Sequence, residues 1–222
     1  MSTTSYESGY LEGSEMVLER EGAEVTIRIG PRTLMSSDVH DTEDELGRIV
    51  AAAVRGAPAP HVLIGGLGLG FTLRAALDDL PPEARVDVAE LVPDVVRWNQ
   101  MECGVYAKRP LDDARVTLYV EDVARVIARS AGTYDVIALD VDNGPSAITH
   151  AMNEDLYRDE GLARARDALK PGGVLAIWSA FPSDPFTAAL TSIVGTVELV
   201  QPPKLGPDAP QFYIWLATTP RS

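Results

Sequence analysis

The spacing of apolar positions changes character along the chain. The stretches Met16–Arg20, Glu24–Ile29 and Thr33–Ser36 read as short strands, and the turn dipeptides Glu21-Gly22 and Gly30-Pro31 separate them, which predicts a small β-meander. Leu46, Ile49, Val50, Ala53 and Val54 then recur on one helical face. Thr42 with Glu45 three residues later has the form of a capping box, so a helix is expected from about Glu43 to Arg55. Ala57-Pro58-Ala59-Pro60 reads as a stiff joint. From His61 onward, apolar runs at 62–64, 86–89, 116–120, 135–139 and 174–178 alternate with helical stretches near 70–80, 93–101, 122–130, 154–169 and 184–194. Such a rhythm implies right-handed crossovers and a doubly wound, mostly parallel α/β sheet of about seven strands. Val197–Val200 and Gln211–Ala217 would close it with an antiparallel edge. The expected division is a meander plus helix over residues 1–57 and an α/β domain over 58–222.

Composition narrows the partners. With 222 residues, 45% of them hydrophobic, the chain can bury a sizeable core without disulfides, and its single Cys103 fits a reducing, cytoplasmic setting. A net charge of −14 repels a phosphate backbone, and no basic patch offsets it, so nucleic acid is not the expected partner. Gly and charged residues interrupt every apolar stretch, so no membrane span is expected, and the polar start MSTTSYESGYLEGSE lacks the pattern of a signal peptide. The exposed edges of a meander leave room for a homodimer.

The chemistry gathers at predicted strand ends. VLIGGLGLG, residues 62–70, carries Gly65, Gly66, Gly68 and Gly70 and leads straight into a helix at Phe71. In a doubly wound sheet a nucleotide-like ligand approaches at such a loop, although glycines can equally serve to pack helix on strand. Glu90 ends the next strand, about twenty residues on, where a carboxylate reaches both hydroxyls of a ribose. Glu121-Asp122 follows the third apolar run; Asp122 can read an adenine amino group or cap the following helix. Asp140 and Asp142 follow the fourth, where two neighbouring acids need a cation or a shared proton unless the loop is simply solvated with a turn at Asn143-Gly144. No metal site is expected, since Asp140, Asp142 and Asn143 lack a distant fourth ligand. His40, just before the first helix, is a further candidate base, whereas His61 and His150 open a strand and sit in a linker.

These residues together resemble the spermidine synthase family, within the Rossmann-like class of S-adenosylmethionine-dependent transferases. The likeness covers roughly residues 60–180 and includes Glu154-Asp155-Leu156-Tyr157 and the Lys170-Pro171-Gly172-Gly173 turn. It implies that Gly65, Gly66, Gly68, Gly70, Glu90 and Leu91 hold the nucleoside of S-adenosylmethionine or its decarboxylated form, with Glu121 and Asp122 near the adenine. It places Asp140 at the acceptor amine. The chain departs from the family pattern in four places. Gly68 stands where aminopropyl transferases carry an acid, Asp140-Val141-Asp142-Asn143 shortens the usual acidic motif, Met152-Asn153 replaces a tyrosine, and Ser36-Ser37-Asp38-Val39-His40-Asp41 lacks the Gln contacts of the N-terminal entry segment. The nucleoside half is kept and the acceptor half rewritten, which puts methyl transfer to an amine or hydroxyl of a small acceptor ahead of aminopropyl transfer. An NAD-linked oxidoreductase, disfavoured by GxGxG spacing, and a silent nucleoside-binding scaffold are the rival readings. In the transferase reading Asp140 deprotonates the acceptor and Asp142 balances its charge. Met152, Tyr157, Trp178 and Phe181 would wall the pocket or pack the core, and Phe181–Pro185 would form a lid or a helix cap at Asp184.

Overall fold

The computed structural model describes residues 4–11, 13–101, 103–141, 144–145, 155–204 and 210–221. Four antiparallel strands come first: β1 (Thr4–Leu11), β2 (Ser14–Glu21), β3 (Glu24–Ile29) and β4 (Arg32–Ser36). The polar stretch before Glu15 therefore adds a strand that the pattern did not reveal. Its serines and glycine carry no apolar alternation, and its order comes from the ladder with β2, which runs from Thr4↔Glu21 to Leu11↔Ser14. Met16, Leu18, Val25 and Ile27 turn inward and join the same buried cluster as the helices of the larger domain. Helix α1 spans Asp41–Ala53. The expected capping box is absent, since His40 is the N-cap without a side-chain bond and Thr42 Oγ1 instead donates to Glu43 Oε2 at 2.6 Å.

The larger sheet has seven strands, in chain order β5 (His61–Gly65), β6 (Arg85–Ala89), β7 (Val116–Tyr119), β8 (Tyr134–Leu139), β9 (Leu169–Ser179), β10 (Thr196–Val200) and β11 (Tyr213–Thr218). Across the sheet they lie β10-β11-β9-β8-β5-β6-β7. The first five are parallel; β11 runs antiparallel to β9, and β10 antiparallel to β11, which gives the expected closing edge. Between them run α2 (Phe71–Asp79), α3 (Pro93–Met101), α4 (Val123–Ala128), α5 (Asp159–Ala168) and α6 (Asp184–Ile193). One buried cluster lies under α1, α2 and α3, the other under α4, α5 and α6, so helices cover both faces.

Two local expectations fail for identifiable reasons. Lys170-Pro171-Gly172-Gly173 is not a turn ahead of a strand but an irregularity inside β9: Leu169 pairs with Tyr134, the register shifts, and pairing resumes at Val136↔Val174. Pro171 has no N–H to offer the ladder, and Gly172 sits at φ +77. At α6 the cap is Ser183, whose side chain accepts from Phe186 N, rather than Asp184. No helix among the described residues is long and apolar enough to cross a membrane.

Candidate functional site

The parallel strands run out beside one another, and a cleft opens beyond their carboxyl ends. Gly66 and Gly68 from the loop after β5, Ala89 to Val92 after β6, Asp122 and Val123 at the start of α4, and Asp140 and Val141 after β8 line it. Met16 and Met35 of the meander close it from the side. It holds about 610 Å³ of atom-free space, its open mouth included.

Glu90 is the centre of the arrangement. Its side chain is buried, and its oxygens accept from Leu67 N at 2.9 Å and Val92 N at 2.8 Å. It therefore ties the glycine loop to the segment after β6. Burial pushes its pKa above the ordinary value, while the amides of Val92, Leu67, Gly68 and Leu91 oppose that rise. In Glu90→Gln the amide nitrogen would face N–H donors, so the fold should lose about 1–3 kcal/mol. Thermal unfolding of the purified variant checks this.

The loop glycines are demanded first by the protein itself. Gly66 sits at φ +89, and a Cβ there would run into the Asp140 carbonyl oxygen, so loop and β8 terminus touch main chain to main chain. A Cβ on Gly68 would stand 2.9 Å from Met35 Sδ. Most loop amides are also committed internally: Gly66 N donates to Ala89 O, Gly70 N to Leu67 O, and Leu67 N to Glu90. Gly65 packs against Val123, and Gly70 is the left-handed N-cap of α2 beneath Pro110; neither is among the cleft-lining residues.

The acids separate by environment. Asp122 caps α4, its side chain accepting from Ala124 N at 2.8 Å, and it also lines the cleft. Glu121 is turned elsewhere: Arg129 grips it through two bonds of 2.6 and 2.7 Å on the surface, so it is not part of this cleft. Asp140 is half-buried and accepts from Thr72 Oγ1 at 2.7 Å. Burial first, then the neighbouring Glu43, pushes its pKa up to about 7, against the lowering by Thr72. Asp142, Asn143, His150, Met152, Asn153 and Glu154 lie outside the described residues. His40 is not in this cleft; its ring stacks on Phe71 with centroids 3.8 Å apart, and it lines a separate charged hollow with Asp44, Arg48 and Arg74. Tyr157 packs in the core against Phe186, and Phe181 is largely exposed, its carbonyl accepting from Ser179 Oγ. Among the described residues no group of His, Cys, Asp and Glu could hold a metal ion.

Met16 and Met35, which line the cleft, and Thr72, which bonds Asp140, are the site residues that sequence reasoning missed. A methionine in a strand and a threonine in a first helical turn have ordinary structural explanations, and no spacing ties either to residues so far along the chain.

This geometry belongs to a known class of fold. The chain has a Rossmann-like fold that it shares with spermidine synthases and a methyltransferase-like protein, and it carries a small antiparallel sheet ahead of that fold. The likeness covers 97% of the chain and 73% of spermidine synthase from Thermotoga maritima, at a TM-score of 0.77 and 18% identity. Spermidine synthase in complex with the transition-state analogue AdoDATO matches with a TM-score of 0.75 at 18% identity, over 97% of this chain and 72% of that one. Human methyltransferase-like protein 13 in complex with SAH shares the fold at a TM-score of 0.58 and 19% identity, over 80% of this chain and 82% of that one. In sequence, polyamine aminopropyltransferase 2 of Caldanaerobacter subterraneus subsp. tengcongensis is 35% identical over 115 residues, half of this chain. That match spans only 37% of the relative's own length. No family profile matches the chain.

Proposed function

We propose that this protein is a transferase that takes an alkyl group from an adenosyl sulfonium donor and delivers it to an amine of a small acceptor. Aminopropyl transfer from decarboxylated S-adenosylmethionine is the leading reaction. The observation that carries this reading is the polarity of the cleft, with Glu90 and Asp122 at one part of its wall and Asp140, near neutrality in its pKa, at another. The cleft offers a nucleoside two acceptors: the Glu90 carboxylate, whose lone pairs neighbouring amides take in part, for ribose hydroxyls, and Asp122 for an adenine amino group. The donor supplies a positively charged sulfur as its own leaving group. The chain's part is to align the acceptor and take its proton, and a half-buried carboxylate with a raised pKa is suited to that. Sequence reading alone put methyl transfer first; the aminopropyltransferase relative and the spermidine synthase neighbours lend their support to the alternative instead.

One observation keeps methyl transfer from S-adenosylmethionine as the second reading. The sulfur of Met35, from β4, occupies the space next to Gly68, so a thioether, not a carboxylate, faces that end of a donor. Isothermal titration with S-adenosylmethionine, its decarboxylated form and NAD separates the readings. Tighter binding of the decarboxylated donor supports aminopropyl transfer, tighter binding of S-adenosylmethionine supports methyl transfer, and uptake of neither defeats the proposal.

A further inference from the structure

We propose that Glu43 is the partner of Asp140: the two carboxylates share one proton, and together they dock and deprotonate the acceptor's ammonium group. The inference rests on the transferase reading and adds to it a residue that nothing in the pattern of the chain connects with the site.

The geometry begins at a helix crossing. A Cβ on Gly47 would stand 2.5 Å from the Thr72 carbonyl oxygen, so α1 lies tightly across α2 at that point. Glu43 is one turn earlier on the same face of α1. The His40 ring, stacked on Phe71 at an interplanar angle of 4°, pins the start of α1 over the start of α2. Thr72, at the crossing, is the residue whose hydroxyl donates to Asp140 Oδ2. Glu43 has a hydroxyl of its own, from Thr42. The register Leu139↔Ile177, carried one residue further, sets Asp140 beside Trp178 on the sheet face that α1 and α2 cover. The Trp178 indole nitrogen is buried with no hydrogen-bond partner among the described residues, an unmet polar group near the strand end that carries Asp140.

The charges facing the pair are mostly negative. On α1, Asp44 raises the Glu43 pKa and His40 lowers it, but burial is the largest influence and the net direction is upward. Across from it, Asp140 feels Glu43 directly. Glu90 from the end of β6 and Asp122 from the start of α4 line the same cleft, while Arg74 on α2 is held by Asp78 at 2.6 Å. Two half-buried acids so placed, both with raised pKa values, are suited to sharing one proton.

The proton balance closes over a turnover. The resting pair carries one proton and one negative charge. An arriving ammonium displaces that proton to solvent and docks against two carboxylates. One of its own protons then passes to the pair, leaving a neutral amine whose lone pair forms the new C–N bond as the donor's C–S bond breaks and its electrons stay on sulfur. The product leaves as a secondary ammonium, and the pair is back in its singly protonated state.

Carboxyl-carbon NMR on the full chain labelled at Asp and Glu tests the pair without reference to activity. Asp140 is expected to titrate near neutrality, and in Glu43→Gln its midpoint should fall by about one unit or more. An unmoved midpoint overturns the pairing. If Glu43→Gln does not fold, Asp140→Asn reads the same coupling from the Glu43 signal, which should fall likewise. Adding 1,4-diaminobutane at pH 6 should drive the shared signal to its ionised position in wild type and not in Glu43→Gln. No response in wild type overturns the docking role. The binding of adenosyl compounds tests the transferase reading separately, so the two can fail independently.

Discussion

Replacing Asp140 with Asn is expected to lower turnover by about 10²–10⁴-fold, the range for loss of a positioned general base, while nucleoside affinity stays within a few-fold. Asn keeps the side-chain oxygen that Thr72 needs and presents an NH₂ toward Glu43, so the local shape survives and only the basic group is lost. The same substitution should raise thermal stability at pH 8. Burial and Glu43 lift the folded-state pKa of Asp140 from 3.8 to about 7, so the native chain holds a proton that the unfolded chain releases. Stability therefore falls as pH rises from about 4 to about 7, and the whole cost is present above that window. Asn carries no such cost, and each kcal/mol recovered should raise Tm by about 2–4 °C in a chain of this size. In wild type, turnover should rise with pH through about 7 as the base ionises. A variant that keeps full activity, or one that melts lower at pH 8, removes Asp140 from the role.

Gly66→Ala is expected to cost more in stability than any other single change in the loop. The backbone there is left-handed at φ +89, which costs an alanine about 1–2 kcal/mol before any contact is considered. The added methyl group then meets the Asp140 carbonyl oxygen, which is main chain and cannot swing aside, so β5 and β8 must separate at the mouth of the cleft. A combined loss of about 3 kcal/mol or more, or a Tm lower by about 6–12 °C, should follow. The bound nucleoside should weaken with it, because Glu90 and the loop are one hydrogen-bonded unit. Calorimetric melting and adenosine titration of the variant decide both points.

The larger sheet was legible because its strands are buried on both faces and read as continuous apolar runs between helical stretches; α3 falls at 93–101, as the pattern predicts. The cleft was legible where position along a strand fixes it, as for Glu90, Asp122 and Asp140 at strand ends. What stayed hidden depends on contacts between distant segments. The first strand, Thr4–Leu11, is set by its neighbour's ladder, Glu121 is drawn to Arg129, and Gly47 lets α1 and α2 touch at Thr72, the residue that bonds Asp140. The glycine loop was read as bare main chain for a ligand; its amides turn out to be largely spent on Ala89, Glu90 and Leu67. What it offers a nucleoside is the carboxylate it helps to hold.

Met16 and Met35 reach the cleft from strands laced only to one another, whereas Gly66 and Glu90 belong to the seven-stranded ladder. A substitution at Met35 therefore reshapes the wall beside Gly68 without removing a rung of the seven-stranded ladder, whereas one at Met16 also disturbs the core that both sheets share.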